Sequence, residues 1–237
     1  MFKMIGSVVI LCGGRGSRLK PITENIPKPM ADINNKPFLE YLIKQVSLLN
    51  PKDIILLTGY KSDVIESYYL NKNNKKNLIK IFKSHPDLDT GSRFYKFFNK
   101  YNFPLMLCYG DNLVNFDIKE YFKNFVDKNA LIVKTSKQCK EVGNINLKNN
   151  SRVNYSKNRN MKFKYVDLGY FIFQKEFLSI FKPLNSTNIS FSKILEKMCK
   201  FDLFCYRVKG KYLSITNIDL YNKTVKYLKN DKNTFFS

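Results

Sequence analysis

Short apolar runs alternate with amphipathic helical stretches along the first 136 residues, and this alternation limits the fold more than any other feature. SVVILC (7–12) is a continuous apolar run closed by Gly13-Gly14, the form of a strand buried on both faces. PFLEYLIKQVSLL (37–49) carries apolar residues at helical spacing, and DIILLTGY (53–60) reads as a second buried strand. The pattern continues with helix over 63–70, strand over 78–84, helix over 93–101, strand over 104–111, helix over 118–128 and strand over 130–136. Such spacing predicts an α/β fold: a three-layer α/β/α Rossmann-like sandwich around a mixed, mainly parallel sheet.

From about residue 140 the rhythm changes. EVGNINLKNNSRVNYSK reads as a polar hairpin with its turn at 148–151, followed by a long strand at 165–174 and a helix at 191–201. Two short strands within 203–215 and a helix at 219–230 close the chain. There is no internal repeat and no Pro/Ser-rich linker, so residues 1–237 are expected to form one domain.

Composition excludes several classes. At 44% hydrophobic and 15% aromatic, the chain is not a disordered polyelectrolyte. No run approaches the roughly 18–20 apolar residues that span a bilayer, so membrane insertion is not expected. With 41 Lys+Arg against 19 Asp+Glu the net charge is +22, which invites a nucleic-acid reading. Only Arg15, Arg18, Arg93, Arg152, Arg159 and Arg207 are arginines; the rest are lysines, many in Asn-rich tracts such as NKNNKKN (71–77). A nucleic-acid face would gather Arg, which forks onto phosphate and guanine. The expectation is therefore no nucleic-acid partner, but a preference for small anionic ligands. Five scattered cysteines without a CxxC pair, and the single His85, argue against a disulfide framework or a zinc site. The amino-terminal apolar stretch ends in a glycine loop rather than a cleavage site, so a cytoplasmic protein is expected.

Leu11-Cys-Gly-Gly-Arg-Gly-Ser-Arg-Leu19 is the strongest local motif. It is not a dinucleotide fingerprint, because Leu19 stands where a third glycine is needed and three prolines follow within KPITENIPKP. It is not a P-loop either. What remains is a strand feeding a glycine loop with two arginines, then a second basic loop at Lys28. Glycines let backbone N–H groups approach phosphates and a flat base, while Arg15, Arg18 and Lys28 supply positive charge.

This motif, with P-K-P-M (27–30) and K-P-F-L-E-Y (36–41), resembles the sugar-1-phosphate nucleotidyltransferases, and is most similar to the mannose- and heptose-1-phosphate guanylyltransferase branch. The resemblance implies the nucleotide-diphospho-sugar transferase fold. It also implies a reaction of an NTP with a sugar 1-phosphate to give NDP-sugar and pyrophosphate. GTP with a heptose or hexose 1-phosphate is the first expectation. CTP is the alternative, since D-T-G-S-R (89–93) before a Tyr-Gly-Asp strand also resembles glucose-1-phosphate cytidylyltransferases, and a catalytically silent nucleotide-sugar-binding relative is the other. A homodimer is left open.

By this resemblance, residues 1–136 form the nucleotide-binding half and 137–237 the sugar-phosphate half. Base and ribose would lie on Leu11, Gly13 and Gly14, with Thr90 and Gly91 beside the base. The triphosphate would follow Arg15, Gly16, Ser17 and Arg18, with Arg93 a further candidate for phosphate, and Lys28 would reach the attacked α-phosphate. Arg18, Lys28 and Asp111 form the implied catalytic set, and Gly143, Asn144 and Lys157 the sugar-phosphate contacts. The implied cofactor is Mg²⁺, held on Asp111 of Tyr-Gly-Asp-Asn. Many family members keep a second metal-binding Asp in a W/F-x-D-x-G-T pattern; here Ser214 falls at that place, and Asp167 of Val-Asp-Leu-Gly (166–169) is the expected second ligand.

Overall fold

A computed structural model describes residues 4–71, 78–148, 152–180, 188–199 and 201–230. Its centre is a nine-stranded mixed sheet. Seven strands run in the order β10 (Leu203–Arg207), β6 (Asn129–Thr135), β9 (Tyr165–Phe173), β4 (Leu105–Tyr109), β1 (Ser7–Leu11), β2 (Asp53–Thr58) and β3 (Ile79–Lys83). The β10–β6, β4–β1, β1–β2 and β2–β3 ladders are parallel, and β9 runs antiparallel to both β4 and β6. β7 (Ile145–Leu147) and β8 (Val153–Tyr155) form the antiparallel hairpin expected near 141–157, attached to β9 through Ile145 and Tyr165. Of its expected turn, 149–151 lie outside the described residues. Strands from both halves of the chain thus share one sheet.

The sandwich follows from the period of two along each strand. Val8, Ile10, Ile54, Leu56, Met106 and Cys108 pack beneath α1 (Phe38–Ser47), α2 (Ser62–Asn71), α4 (Ile118–Phe125) and α7 (Ile218–Asn230). Their neighbours Val9, Leu11, Ile55, Leu57 and Leu107 enter a second core against α3 (Thr90–Lys96) and α6 (Phe191–Met198). Phe94 of α3 is fully buried there, against Tyr101, Phe173 and Phe191. Asp117 caps α4 by accepting from the Glu120 N–H at 2.8 Å, so Asp111 is not committed to that helix end.

Three features depart from the reading of the sequence. The helix expected over 93–101 begins at Thr90 and ends at Lys96, continued by a 3₁₀ turn at Phe98–Lys100. Asp89-Thr-Gly-Ser is therefore the entry to a helix rather than a free loop. A short helix, α5 (Ser136–Cys139), follows β6. Of the two short strands near 203–215, only β10 joins the main sheet; β11 (Tyr212–Ser214) pairs antiparallel with β5 (Asn112–Val114) in a separate two-stranded piece. That pairing carries the carboxy-terminal segment across to the end of β4, placing Ser214 opposite Asn112, next to Asp111.

Candidate active site

Two cavities meet at the carboxyl ends of β1 and β4, the edge where open α/β sheets bind ligands. The smaller, about 240 Å³, is walled by the glycine loop (Leu11, Gly13, Gly14, Gly16), Lys28, Thr90 and the rings of Tyr109 and Phe191. The larger, about 1080 Å³, runs from Arg18 past Asp111 and Asp167 to α7. Tyr109 and Asp111 border both. A ligand spanning the two would cross Asp111.

The junction is charged on both sides. Lys28 Nζ donates to Asp111 Oδ2 at 3.0 Å, and the pair is half-buried. The Thr216 hydroxyl donates to the same oxygen at 3.5 Å and is hydrogen-bonded in turn to Ser214 Oγ at 2.8 Å. Ser214 thus lies in the segment beside Asp111 and contributes a hydroxyl, not a carboxylate. Asp167 comes from near the start of β9. Asn144 Nδ2 donates to its Oδ2 at 2.5 Å, while Asn144 Oδ1 accepts from its backbone N–H at 3.0 Å. The other carboxylate oxygen, Oδ1, is buried with no hydrogen-bond partner among the described residues. Burial pushes the Asp167 carboxyl above its ordinary range, and the Asn144 bond offsets only part of that.

The smaller cavity is built on Arg93. The residue is 2% exposed, with its guanidinium packed against Gly13 of the glycine loop. Nη1 donates to the Thr58 carbonyl at 2.6 Å and Nη2 to the Leu88 carbonyl at 2.7 Å, with a longer bond to the His85 carbonyl at 3.3 Å. Those bonds tie β2 to the 85–89 turn, so Arg93 supports the loop structurally and its expected reach to phosphate gives way to this role. Burial lowers its pKa, but a guanidinium stays charged. The Thr90 hydroxyl accepts from the Phe191 N–H at 3.0 Å, and Ser92 exchanges two bonds with Ile189 at 3.0 and 2.8 Å, which fixes the Phe191 ring as a cavity wall.

Other expected residues lie further out. Gly91 is buried against Ile194 and the Ile189 and Ser190 carbonyls and does not line the cavity. Arg15 is exposed and paired with Asp87, Nη2 to Oδ1 at 2.5 Å, with its guanidinium 5.8 Å from the Tyr60 ring. Ser17 is exposed in a 3₁₀ turn, Ser17–Leu19. Gly143 packs on the Phe163 backbone. Asn144 acts through Asp167. Lys157 is exposed, its backbone N–H held by Glu196 Oε1 at 2.7 Å, and it borders neither cavity. Two residues along, Arg159 is on the wall of the larger one, paired with Glu141 at 3.1 Å. Tyr109, Arg159 and Tyr212 also border the cavities, and no motif marks them as site residues; for Arg159 the scarcity of arginine is the one signal in the sequence.

A model of the Nucleotidyl transferase family matches residues 7–212. The chain belongs to this family. Curated relatives include the D-glycero-alpha-D-manno-heptose 1-phosphate guanylyltransferase of Aneurinibacillus thermoaerophilus, 34% identical over 134 residues, covering 56% of this chain and 58% of that one. A probable glucose-1-phosphate cytidylyltransferase of Bacillus subtilis is 41% identical over 76 residues, covering 32% and 30%. The match with the first relative thus spans a little over half of its length. The fold is shared with crystalline HddC from Yersinia pseudotuberculosis complexed with GMP-PN: TM-score 0.77 at 23% identity, over 94% of this chain and 99% of that one. Among the described residues no helix is long and apolar enough to cross a membrane.

Proposed function

We propose that this nucleotidyltransferase joins GTP and a heptose or hexose 1-phosphate, releasing NDP-sugar and pyrophosphate. The observation that carries the proposal is the meeting of a small, glycine-walled cavity with a larger polar one at the Lys28–Asp111 pair. The small cavity has apolar walls in Leu11, Tyr109 and Phe191 and suits a flat base; the larger suits a sugar phosphate. A phosphate oxygen of the sugar phosphate attacks the α-phosphorus of the NTP as the bond to the β-phosphate oxygen breaks, and pyrophosphate takes the electron pair. The sugar phosphate is ionised at neutral pH, so no side chain need act as general base. What the protein supplies is alignment and positive charge. Lys28 stands at the junction to neutralise the α-phosphate, and Arg18 faces the larger cavity to receive phosphate oxygens.

The site residues also fit Mg²⁺. Asp167 Oδ1 is a buried oxygen without a partner among the described residues, which a cation would satisfy, and Asp111 lies in the same cavity. Among the described residues no group of three carboxylate, His or Cys ligands occurs. Two carboxylates suffice for Mg²⁺, which takes one or two together with phosphates and waters. When bound, it would neutralise charge on the phosphate oxygens. Guanine is favoured by the guanylyltransferase relative; the cytidylyltransferase relative keeps CTP as the second reading. Incubation with each NTP, Mg²⁺ and a panel of sugar 1-phosphates should release pyrophosphate, fastest with GTP. Release with CTP alone would support the second reading. Nucleotide-sugar binding without pyrophosphate from any pair would overturn the enzyme in favour of a silent relative.

A further inference from the structure

Six cationic residues and four carboxylates line the larger cavity, a surplus of two charges that one phosphate dianion answers. Which cation grips that dianion depends on how each is held. Among the described residues, Arg159 is the one cation of this lining whose side chain is anchored by hydrogen bonds. Its Nη1 donates to Glu141 Oε2 at 3.1 Å and to the Val142 carbonyl at 2.7 Å. Nε and Nη2 make no hydrogen bond among the described residues, so one edge of the guanidinium fork is left open.

Two segments build this placement. The Ser156 N–H donates to the Asn144 carbonyl at 2.9 Å and the Asn160 N–H to the Gly143 carbonyl at 3.0 Å, which zips the loop carrying Arg159 along residues 141–144. A Cβ on Gly143 would lie 2.2 Å from the Phe163 carbonyl oxygen, so glycine is what lets the two segments close. Asn144 of the same segment clamps Asp167 through both ends of its side-chain amide. One segment thus positions a cation and a carboxylate on a single wall. Burial raises the pKa of the Asp167 carboxyl and of the Tyr109 phenol, and the Arg159 charge opposes both rises. The guanidinium therefore lies within Coulombic reach of Tyr109, the ring that borders both cavities. Lys157 lacks these features: its N–H is held by Glu196 Oε1 of α6, and the residue borders neither cavity.

From this arrangement we propose that Arg159 grips the phosphate of the sugar 1-phosphate, the task that the family resemblance assigns to Lys157. The proposal rests on the nucleotidyltransferase reading and names the residue that orients its acceptor. Nε and Nη2 would each donate to one phosphate oxygen, leaving the third to attack the α-phosphorus. A lysine is a point charge and does not fix that angle.

Steady-state kinetics of pyrophosphate release on the full chain test it, with the preferred NTP and Mg²⁺ and with glucose 1-phosphate, mannose 1-phosphate and a heptose 1-phosphate as acceptors. For the acceptor that reacts fastest, Arg159→Ala should raise KM tenfold or more while KM for the NTP moves less than twofold. Arg159→Gln should do the same, and it serves if the alanine variant fails to fold; Arg159→Lys should lie between the parent and these two. Inorganic phosphate, which presents the gripped group without its sugar, should compete with the acceptor in the parent and inhibit the alanine or glutamine variant at least tenfold more weakly. An unchanged acceptor KM, an equal rise in KM for the NTP, phosphate inhibition that persists, or a larger effect of Lys157→Ala than of Arg159→Ala would each overturn the proposal. No pyrophosphate from the unsubstituted protein with any NTP would instead refute the nucleotidyltransferase reading, and the assignment of Arg159 with it.

Discussion

At the scale of single residues, the glycine loop separates two requirements that the sequence presents as one. A Cβ on Gly13 would lie 1.8 Å from Arg93 Nη1, whereas a Cβ on Gly14 meets nothing within 4 Å. Gly13 is therefore glycine because the buried guanidinium fills the space below it, and Gly14 leaves its space open above the cavity. Gly13→Ala should destabilise the protein by about 1–3 kcal/mol, the usual cost of forcing atoms into a packed site. Gly14→Ala should change stability by less than about 0.5 kcal/mol, as an unobstructed substitution does. Its methyl should still weaken GTP binding, which thermal unfolding and calorimetry on the two variants would separate. Lys28→Met removes the charge facing the proposed α-phosphate and should lower kcat by about 10²–10³, the scale of one lost charge-stabilising donor. Stopped assays of pyrophosphate release would read it. Arg93 is visible in the sequence as a cation near the site, but its role is not, because its partner Thr58 lies 35 residues away on β2.

Among the elements, β1, β2, β4, β6 and β9 were legible because they are buried on both faces and read as near-continuous apolar runs. β5 and β11 were not legible as partners: three residues each carry no usable period, and their pairing is fixed by the tertiary path. Yet this pair brings Thr216 and Ser214 to Asp111, so part of the site was invisible for the same reason as the strands. β9 contributes Asp167 at the cost of a buried carboxylate. Its pKa is raised by burial, so its ionisation destabilises the folded state; the penalty is absent at acid pH and appears as pH rises through the raised pKa. Asp167→Asn should therefore melt above the parent at neutral pH, by about 2–4 °C if the relief is of order 1 kcal/mol. The difference should vanish below the carboxyl's ordinary value of 3.8, where the parent is protonated in both states. Mg²⁺ should raise the melting temperature of the parent more than that of the variant. A variant no more stable than its parent at pH 7 would show that the buried carboxylate carries no such cost.

For the whole molecule, the question is what a net charge of +22 does. Much of it is exposed lysine, and exposed charges act through a field that salt screens within about 10 Å at 0.1 M ionic strength. Lys28 and Arg93, at the smaller cavity, are half-buried and buried, where screening is weaker. The two populations therefore predict different salt responses for different anions. A random oligonucleotide would engage the outer lysines by counterion release and lose affinity steeply between 50 and 200 mM salt. GTP, if held as proposed by fitted contacts as well as charge, should lose far less. At 0.3 M salt, GTP with Mg²⁺ at about 100 times its Kd should add about 2.7 kcal/mol of stability. For a chain of this length that is about 5–10 °C in melting temperature. The oligonucleotide should give no shift in the same buffer. The ranking of GTP, CTP, ATP and UTP in one such experiment would also report base preference directly. If the oligonucleotide stabilised the protein at 0.3 M salt as strongly as any nucleotide did, the charge would have to be assigned to a nucleic-acid surface. The two cavities would then be incidental to it.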